Sequence, residues 1–183
     1  MKIIQSDIDG LKIIRPDIFG DDRGFFTELY RENTYLEAGV VNLFVQDNLS
    51  FSVKHTLRGL HFQKKHPQAK LVQVLMGEVL DVVVDLRKNS PTFGQYRTFL
   101  LSGATKTQLF IPEGFAHGFC VYSDTALFLY KCSNFYNSKD EGGLLWNDPD
   151  LSIPWGVDQP ILSEKDKSYP RLSELTAADL PSL

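Results

Sequence analysis

Short runs of β-branched and aromatic residues, with Gly and Pro between them, set the strongest constraint on the fold of this chain. They recur at nearly even spacing and predict strands at residues 11–15, 25–30, 44–49, 57–63, 70–76, 79–86, 96–101, 109–111, 116–121 and 126–134. Side chains along a strand alternate between its two faces, so each run can bury an apolar face. Many short strands separated by turn residues predict an all-β sandwich or barrel.

Glycine also marks the predicted turns and helix ends. Residues 20–24 predict a turn, and Gly77-Glu78 predicts a tight hairpin between two strands. Residues 32–37 predict one short helix, which Ala38-Gly39 ends. From Tyr136 onward Pro, Asp and Ser are frequent, so this part is expected to be extended, with a second helix at residues 172–180.

Length and composition favour a single globular domain. The 183 residues predict one domain, 1–183, with one sizeable core. A hydrophobic content of 43% and a charged content of 23% are ordinary for such a protein. The net charge of −4 provides no global basic surface for nucleic acid, so an anion site must be a local cluster of Arg and Lys.

The expected compartment is the cytoplasm. The first seven residues contain no long apolar run typical of a signal peptide, and no apolar stretch is long enough to span a bilayer. Cys120 and Cys132 flank a turn-like Ser123-Asp124 and can face each other across a hairpin. Two buried thiols in a reducing compartment is the favoured interpretation, since nothing else is typical of a secreted protein.

Arg58, His61 and Lys70 interrupt two of the predicted apolar strands. Removing water from an unpaired charge is costly, so ionisable groups on an inward face need partners. A base, two cations and neighbouring amides inside a sheet therefore predict a pocket for an anionic ligand, with the reacting centre beside His61. Imidazole titrates near pH ~6.5 and suits a base at neutral pH. A core histidine bonded to backbone is the alternative.

The segment Pro112-Glu113-Gly114-Phe115-Ala116-His117-Gly118-Phe119 resembles the second motif of the cupins, small β-barrels of the jelly-roll type. The first cupin motif usually carries His-x-His, but this chain has His61-Phe62-Gln63. Transition-metal sites generally need three or more ligands in a fixed geometry. With His61 and His117 as the plausible pair, we expect no metal.

Together these segments resemble the dTDP-4-dehydrorhamnose 3,5-epimerases, the RmlC-type enzymes of dTDP-L-rhamnose synthesis. The resemblance runs in one order along nearly the whole chain, through residues 22–26, 45–48, 57–63, 68–73, 112–119, 129–131, 145–150 and 162–166. Several motifs in one order are more specific than any one alone. The resemblance implies a cupin-type jelly-roll subunit with short peripheral helices, a homodimer, no metal or other cofactor, and a nucleotide-sugar substrate.

The family's reaction inverts carbons next to a ketone, and the resemblance implies a role for four residues in it. Inversion needs a base, a group that stabilises charge on the ketone oxygen, and an acid on the opposite face. His61 is the implied base with Asp166 as its partner, Lys70 stabilises the enolate, and Tyr130 is the acid. Without the family, Asp166 is expected in a solvated turn, Lys70 on the surface of an edge strand, and Tyr130 in aromatic packing.

The resemblance also implies a substrate-binding set. Arg23, Arg58 and Lys165 would bind the diphosphate, because guanidinium groups suit phosphate oxygens. Tyr136 would stack on the thymine ring; it follows Phe135, where the family usually has a first tyrosine. The other implied substrate-binding residues are Phe26, Glu28, Gln46, Asn48, Gln73, His117 and Glu141. For the two glutamates, exposed carboxylates are the alternative.

Three other functions remain open on the sequence. An epimerase acting at one position, or a ketoisomerase, on a related nucleotide-linked 4-keto-6-deoxy sugar can share His61, Lys70 and Tyr130. A metal-dependent cupin oxygenase or isomerase would need the missing His-x-His. A non-catalytic sugar-binding module would not need His61, Lys70 and Tyr130 together.

Overall fold

The computed structural model describes residues 1–183 and consists mainly of antiparallel strands. The strands are β1 Lys2–Gln5, β2 Lys12–Arg15, β3 Ile18–Asp21, β4 Gly24–Thr27, β5 Gln46–Val53, β6 Leu57–Gln63, β7 Lys70–Met76, β8 Glu78–Asp85, β9 Tyr96–Ser102, β10 Gln108–Ile111, β11 Phe115–Val121, β12 Thr125–Cys132 and β13 Glu141–Gly143. The helices are α1 Glu32–Glu37, α2 Glu164–Lys167 and a 3-10 turn at Leu172–Glu174. None of these helices is long and apolar enough to cross a membrane.

Two large sheets form the body of the fold. The six-stranded sheet has the order β1-β2-β10-β7-β12-β5, and the five-stranded sheet has the order β13-β6-β11-β8-β9. Strands β3 and β4 form a separate hairpin. The predicted all-β sandwich is therefore confirmed.

The main core lies between the two sheets. Val72 and Phe128 from the six-stranded sheet pack in one cluster with Val83 and Phe119 from the five-stranded sheet. The central strands β8 and β11 are buried along nearly their whole length. When both faces of a strand are covered, its residues need not alternate between apolar and polar types, which explains the continuous valine run in β8.

Both sheets are also covered on part of their outer faces. The C-terminal segment packs Leu144 and Trp155 against the back of the five-stranded sheet. Helix α1 and the loop after it place Tyr35 and Val40 over the six-stranded sheet. The helix predicted at residues 32–37 is confirmed, and Gly39 follows it with a φ of 76°. The predicted strands 57–63 and 70–76 have the bounds found in the structure.

The hairpin prediction at Gly77-Glu78 is wrong. Strand β7 belongs to the six-stranded sheet and β8 to the five-stranded sheet, so the chain crosses between sheets at Gly77. A Cβ at this position would lie 2.1 Å from the Thr125 carbonyl oxygen, and its φ is 83°. Glycine is therefore needed for a close sheet-to-sheet crossing.

Two other local predictions need correction. Cys120 lies in β11 and Cys132 in β12, which belong to different sheets, so they do not face each other across a hairpin; both are buried free thiols. Only Leu172–Glu174 of the predicted C-terminal helix is helical, as a 3-10 turn. The Asp179 carboxylate accepts from the Thr176 amide and from Lys64, and such side-chain bonds to the backbone compete with helix formation.

Candidate active site

A cavity of about 420 Å³ opens between the two sheets. His61 and His117 line it from the five-stranded sheet, while Lys70 and Tyr130 line it from the six-stranded sheet. The complete lining is Ser50, Arg58, His61, Lys70, His117, Gly118, Phe119, Phe128, Tyr130, Ser163, Lys165 and Asp166. A larger depression of about 680 Å³ beside Asp7, Arg87 and the C-terminus contains carboxylates and cations but no histidine or tyrosine.

A close approach of two glycines shapes the backbone at the cavity. Strands β6 and β11 are paired so that His61 lies directly opposite His117, and the register shifts just after His117. Paired residues of antiparallel strands project to the same face, so both imidazoles reach the cavity. Gly59 has a φ of 122°, and a Cβ there would lie 2.5 Å from the Gly118 Cα. Any larger residue at Gly59 would push the two histidine-bearing strands apart.

His61 and Asp166 form a histidine–carboxylate pair at one side of the cavity. The His61 Nε2 atom lies 2.6 Å from Asp166 Oδ1. Asp166 is buried inside α2, and its amide donates to the Ser163 side chain that caps the helix. Its helix neighbours Glu164 and Lys165 are exposed. The single inward-facing acid of this short helix therefore orients the imidazole, as in other base–carboxylate pairs.

Lys70 projects into the cavity from the start of β7. Its ammonium makes no hydrogen bond or ion pair with another residue of the chain, although it lies in the field of two carboxylates, Asp81 and Glu141. Burial lowers the pKa of Lys70, and these carboxylates oppose the shift. A cation without a partner in a partly desolvated pocket is available to an anionic group of a ligand.

Tyr130 lines the cavity from the six-stranded sheet, opposite the histidines. Its ring packs near Phe128, with centroids 6.1 Å apart, and its hydroxyl has no hydrogen-bond partner in the chain. Burial raises the pKa of Tyr130. The hydroxyl therefore keeps its proton at neutral pH and can donate it to a ligand.

His117 belongs to a second histidine–carboxylate pair, deeper in the fold. Its Nε2 atom lies 2.8 Å from Asp81 Oδ2, and both residues are buried. Burial lowers the pKa of His117, against the effect of Asp81. The other Asp81 oxygen, Oδ1, is buried without a partner. Asp81 is not among the predicted site residues, although an acid inside the valine-rich β8 is a usable signal in the sequence.

Glu141 is the centre of a hydrogen-bonded cluster beside the cavity. It accepts from the Tyr136 hydroxyl at 2.5 Å, the Tyr169 hydroxyl at 2.7 Å and the Lys165 ammonium at 2.6 Å. Burial alone would raise the pKa of Glu141, but these three donors lower it to about 2. Nothing in the sequence pattern pointed to Tyr169.

The side-chain amides of Gln46 and Asn48 in β5 form hydrogen bonds that hold the backbone at Tyr136. The Tyr136 amide donates to Gln46 Oε1 at 3.0 Å, and Gln46 in turn donates to Asn48 Oδ1 at 2.9 Å. Arg58, on the cavity wall, donates to the Ser52 hydroxyl at 3.1 Å. Three predicted binding residues, Gln46, Asn48 and Tyr136, are thus neighbours in the structure.

Eight predicted binding residues do not line the cavity of their own chain. Four of them, Gln46, Asn48, Tyr136 and Glu141, belong to the bonded groups just described, and the other four lie elsewhere. Arg23 and Phe26 belong to the β3–β4 hairpin, where Arg23 pairs with Asp21 and both side chains point to solvent. Glu28 follows the hairpin and pairs with Arg31. Gln73 lies in β7 on the face opposite Lys70, and it accepts a hydrogen bond from Gln108 at 3.0 Å.

The metal-ligating side chains do not converge. No group of three or more His, Cys, Asp or Glu residues in the chain is arranged to hold a metal ion. His61 and His117 are each paired with a carboxylate instead.

Comparisons with known proteins agree with this geometry. A sequence model of the dTDP-4-dehydrorhamnose 3,5-epimerase family matches residues 5–174. The chain belongs to this family. A dTDP-4-dehydrorhamnose 3,5-epimerase of Shigella flexneri is 51% identical over 91% of this chain and 93% of the relative.

Solved structures extend the family match to three dimensions. The structure of a dTDP-6-deoxy-D-glucose-3,5-epimerase, RmlC, from Legionella pneumophila Philadelphia 1 in complex with dTDP-4-keto-L-rhamnose is 49% identical, with a TM-score of 0.96 over 100% of this chain and 98% of that one. A more distant family relative, a dTDP-4-dehydrorhamnose 3-epimerase of Streptomyces niveus, is 38% identical over 98% of this chain and 88% of the relative. The predicted family and its cupin-like jelly-roll fold are confirmed.

Proposed function

We propose that this chain converts dTDP-4-keto-6-deoxy-D-glucose to dTDP-4-keto-L-rhamnose by inverting C3 and C5 of the sugar, a step of dTDP-L-rhamnose biosynthesis. The observation that carries the proposal is the placement of His61, held by Asp166, and Tyr130 on opposite walls of one cavity that also contains the free ammonium of Lys70. A base and an acid on opposite walls can act on opposite faces of one ring.

The reaction begins with proton removal from a carbon next to the C4 ketone. His61 takes the proton, and the electron pair left on carbon moves into the ketone to form an enolate. Lys70 stabilises the negative oxygen, while Asp166 stabilises the imidazolium that has formed. The charge on the oxygen exists only after proton removal, so Lys70 acts mainly on the transition state.

Inversion follows when the proton returns from the other wall. The Tyr130 hydroxyl protonates the carbon on the face away from His61, and the enolate collapses to the ketone. Solvent then takes the proton from His61 and restores the Tyr130 hydroxyl. Because C3 and C5 both adjoin the ketone, the same residues serve both carbons in turn.

The nucleotide would occupy the side of the cavity where Glu141 and its three donors lie. Tyr136 would stack on the thymine, beside Gln46 and Asn48, and Arg58 and Lys165 would bind the diphosphate. His117, neutral and donating its Nε2–H to Asp81, would accept a hydrogen bond from a sugar hydroxyl at Nδ1.

We propose that the protein acts as a homodimer in which the β3–β4 hairpin serves the other subunit. Two apolar surfaces of the chain are uncovered: Leu49, Phe51 and Val53 on the edge strand β5, and Phe25 and Phe26 on the hairpin. Strand β5 also supplies a wall of the cavity through Ser50. A hairpin packed on the partner's β5 would bring Arg23 and Phe26 to the partner's cavity, with Glu28 just behind them, and would hide the sheet edge.

We also propose that the enzyme uses no metal or other cofactor and works in the cytoplasm. Proton transfer needs no redox chemistry, and two free, buried thiols suit a reducing compartment. Metal analysis of the active protein should find no stoichiometric zinc, iron or manganese. Loss of activity on removal of such a metal would overturn this part.

Deuterium incorporation tests the reaction itself. The purified protein is incubated with dTDP-4-keto-6-deoxy-D-glucose in deuterated buffer, and NMR follows the protons at C3 and C5. Exchange and inversion at both carbons is the expected result. Exchange at one carbon would identify a single-position epimerase, and binding without exchange would identify a non-catalytic module.

Subunit mixing tests the shared site. Arg23→Ala and His61→Asn chains, each inactive alone, are denatured and refolded together. If Arg23 serves the partner, one cavity of each mixed dimer is intact, and random pairing restores about a quarter of the parent activity. His61→Asn mixed with Lys70→Met is the control, because both residues serve the same cavity and no site is restored. No recovery in the first mixture would refute the arrangement, as would a monomer by light scattering.

A further inference from the structure

Tyr169 contacts two parts of the site that are otherwise separate. Its ring lies edge-to-face against the His61 imidazole, with centroids 5.6 Å apart. Its hydroxyl donates to Glu141 Oε1 at 2.7 Å. One half-buried side chain therefore touches both the proposed base and the carboxylate that holds Tyr136 and Lys165.

The backbone around Tyr169 is built to keep its ring in place. Gly143 lies opposite His61 in the β13–β6 register, and a Cβ at Gly143 would lie 2.5 Å from the Tyr169 ring. The ring thus fills the space that a side chain on β13 would occupy. The next residue, Pro170, accepts a hydrogen bond from the Leu145 amide at 2.8 Å, which anchors the chain just after Tyr169.

We propose that Tyr169 is a positioning residue for this reaction, whose ring fixes the plane of the His61 imidazole and whose hydroxyl fixes the Glu141 cluster that holds Tyr136 and Lys165. The inference rests on the epimerase function proposed above. Burial and the Glu141 carboxylate both raise the pKa of Tyr169, so the hydroxyl stays a donor throughout the working pH range.

The two contacts of Tyr169 have separable consequences. The hydroxyl acts through Glu141 on residues proposed to bind the nucleotide in both the ground and the transition state, so its loss should weaken binding. The ring acts on the orientation of the base, and a base held less firmly reaches the productive geometry less often. Its loss should therefore slow turnover.

The test compares Tyr169→Phe and Tyr169→Leu with the parent. Tyr169→Phe keeps the ring and removes one of three donors to Glu141, so KM and the Kd for dTDP should rise about fivefold with little change in kcat. Tyr169→Leu also removes the ring, so kcat should fall about tenfold in addition. Tyr122→Phe is the matched control: its hydroxyl donates to the Trp155 carbonyl at 2.8 Å on the far side of the five-stranded sheet, away from the cavity.

A spectroscopic readout separates positioning from general stability. With ¹⁵N-labelled histidine, the His61 ring signals should change in Tyr169→Leu and stay near the parent positions in Tyr169→Phe and Tyr122→Phe. Unchanged KM, kcat and His61 signals in both Tyr169 variants would overturn the role of Tyr169. Absence of deuterium exchange in the parent protein would instead overturn the proposed epimerase function. The positioning role of Tyr169 would then be decided by the His61 ring signals and the Kd for dTDP. Equal losses in Tyr122→Phe would mean a merely structural effect.

Discussion

Replacing Lys70 with methionine should abolish most of the turnover while leaving substrate binding nearly intact. Methionine keeps the apolar stem of the side chain and removes the ammonium. Lys70 lines the cavity, and no residue of the chain neutralises it directly. The enolate oxygen would therefore lose the only lysine ammonium on the six-stranded wall of the cavity.

The size of the effect follows from the position of Lys70 between water and the core. Two unit charges about 3 Å apart interact by roughly 1.4 kcal/mol at the dielectric constant of water and by roughly 5.5 kcal/mol at an effective value of about 20. A half-buried lysine lies between these limits, at about 3–4 kcal/mol, so kcat should fall about 10²–10³-fold. KM should change by less than about threefold, because the charge develops after binding.

Steady-state kinetics of Lys70→Met measure this, with Lys131→Met as the control. Lys131 lies on the outer face of β12, where it pairs with Asp47 at 2.7 Å and lies 5.1 Å from the centre of the Tyr30 ring. Its loss removes these two contacts, each worth about 1 kcal/mol or less, and leaves the cavity unchanged. Activity of the control should equal that of the parent. A kcat for Lys70→Met within about twofold of the parent would refute enolate stabilisation by Lys70.

The same residue should set the alkaline limit of the reaction. Burial lowers the pKa of Lys70 and raises that of Tyr130. As the pH rises, Lys70 therefore loses its proton first, below the ordinary lysine value of about 10.4, and kcat falls there. Arginine stays charged at this pH, so Lys70→Arg should move the limit upward even if its activity is lower. An unchanged limit in that variant would assign it to another group.

Two further predictions concern the proton-transfer pair and Glu141. His61→Asn should abolish both deuterium exchange and product formation. Tyr130→Phe should retain some exchange through His61, but inversion should fall sharply, at C5 especially. NMR of the sugar measures exchange and inversion separately, and inversion of both carbons by Tyr130→Phe at the parent rate would exclude Tyr130 as the acid. Glu141 has a pKa of about 2 in the fold and about 4.3 when unfolded. Its ionised form therefore stabilises the native state fully above about pH 4.3, and this stabilisation is lost as the pH falls toward 2. Glu141→Gln should lower the free energy of unfolding by about 2 kcal/mol at pH 7 and by much less at about pH 2.5; urea unfolding that gives the same difference at both pH values would contradict this.

Local sequence patterns predicted the strands well but not their partners. Residues 57–63 and 70–76 are mainly apolar runs bounded by polar or turn residues, and each has the predicted bounds. The short helix at 32–37 is marked by the Ala38-Gly39 that follows it. Gly77 carries the signal of a hairpin, yet β7 pairs with β10 and β12, which come much later in the chain. A turn signal describes the backbone at the turn and says nothing about which sheet the next strand joins.

The residues of the candidate site also differ in whether the sequence could predict them. His61, Lys70 and Tyr130 lie on strands whose polar residues stand out against an apolar background, so the residues themselves drew attention. Asp166 is 105 residues from its partner His61, and only the family motif assigned it before the fold brought the two together. Tyr169 contacts His61 across a similar separation with no motif, so sequence reasoning had no means of finding it.

The environments of the two histidine–carboxylate pairs support the proposal that His61, and not His117, is the base. The His61 side chain is 31% exposed and its partner Asp166 is buried, so the ring is oriented yet open to a ligand. The His117 side chain is only 8% exposed, its partner Asp81 is fully buried, and burial lowers the pKa of His117. A histidine that resists protonation is a poor general base, and the neutral His117 ring, whose Nε2–H donates to Asp81, offers Nδ1 as a hydrogen-bond acceptor. We therefore assign different tasks to the two histidines. Asp81→Asn should therefore disturb substrate binding through His117 more than proton removal by His61, and a loss of deuterium exchange as complete as that of His61→Asn would contradict this division of roles.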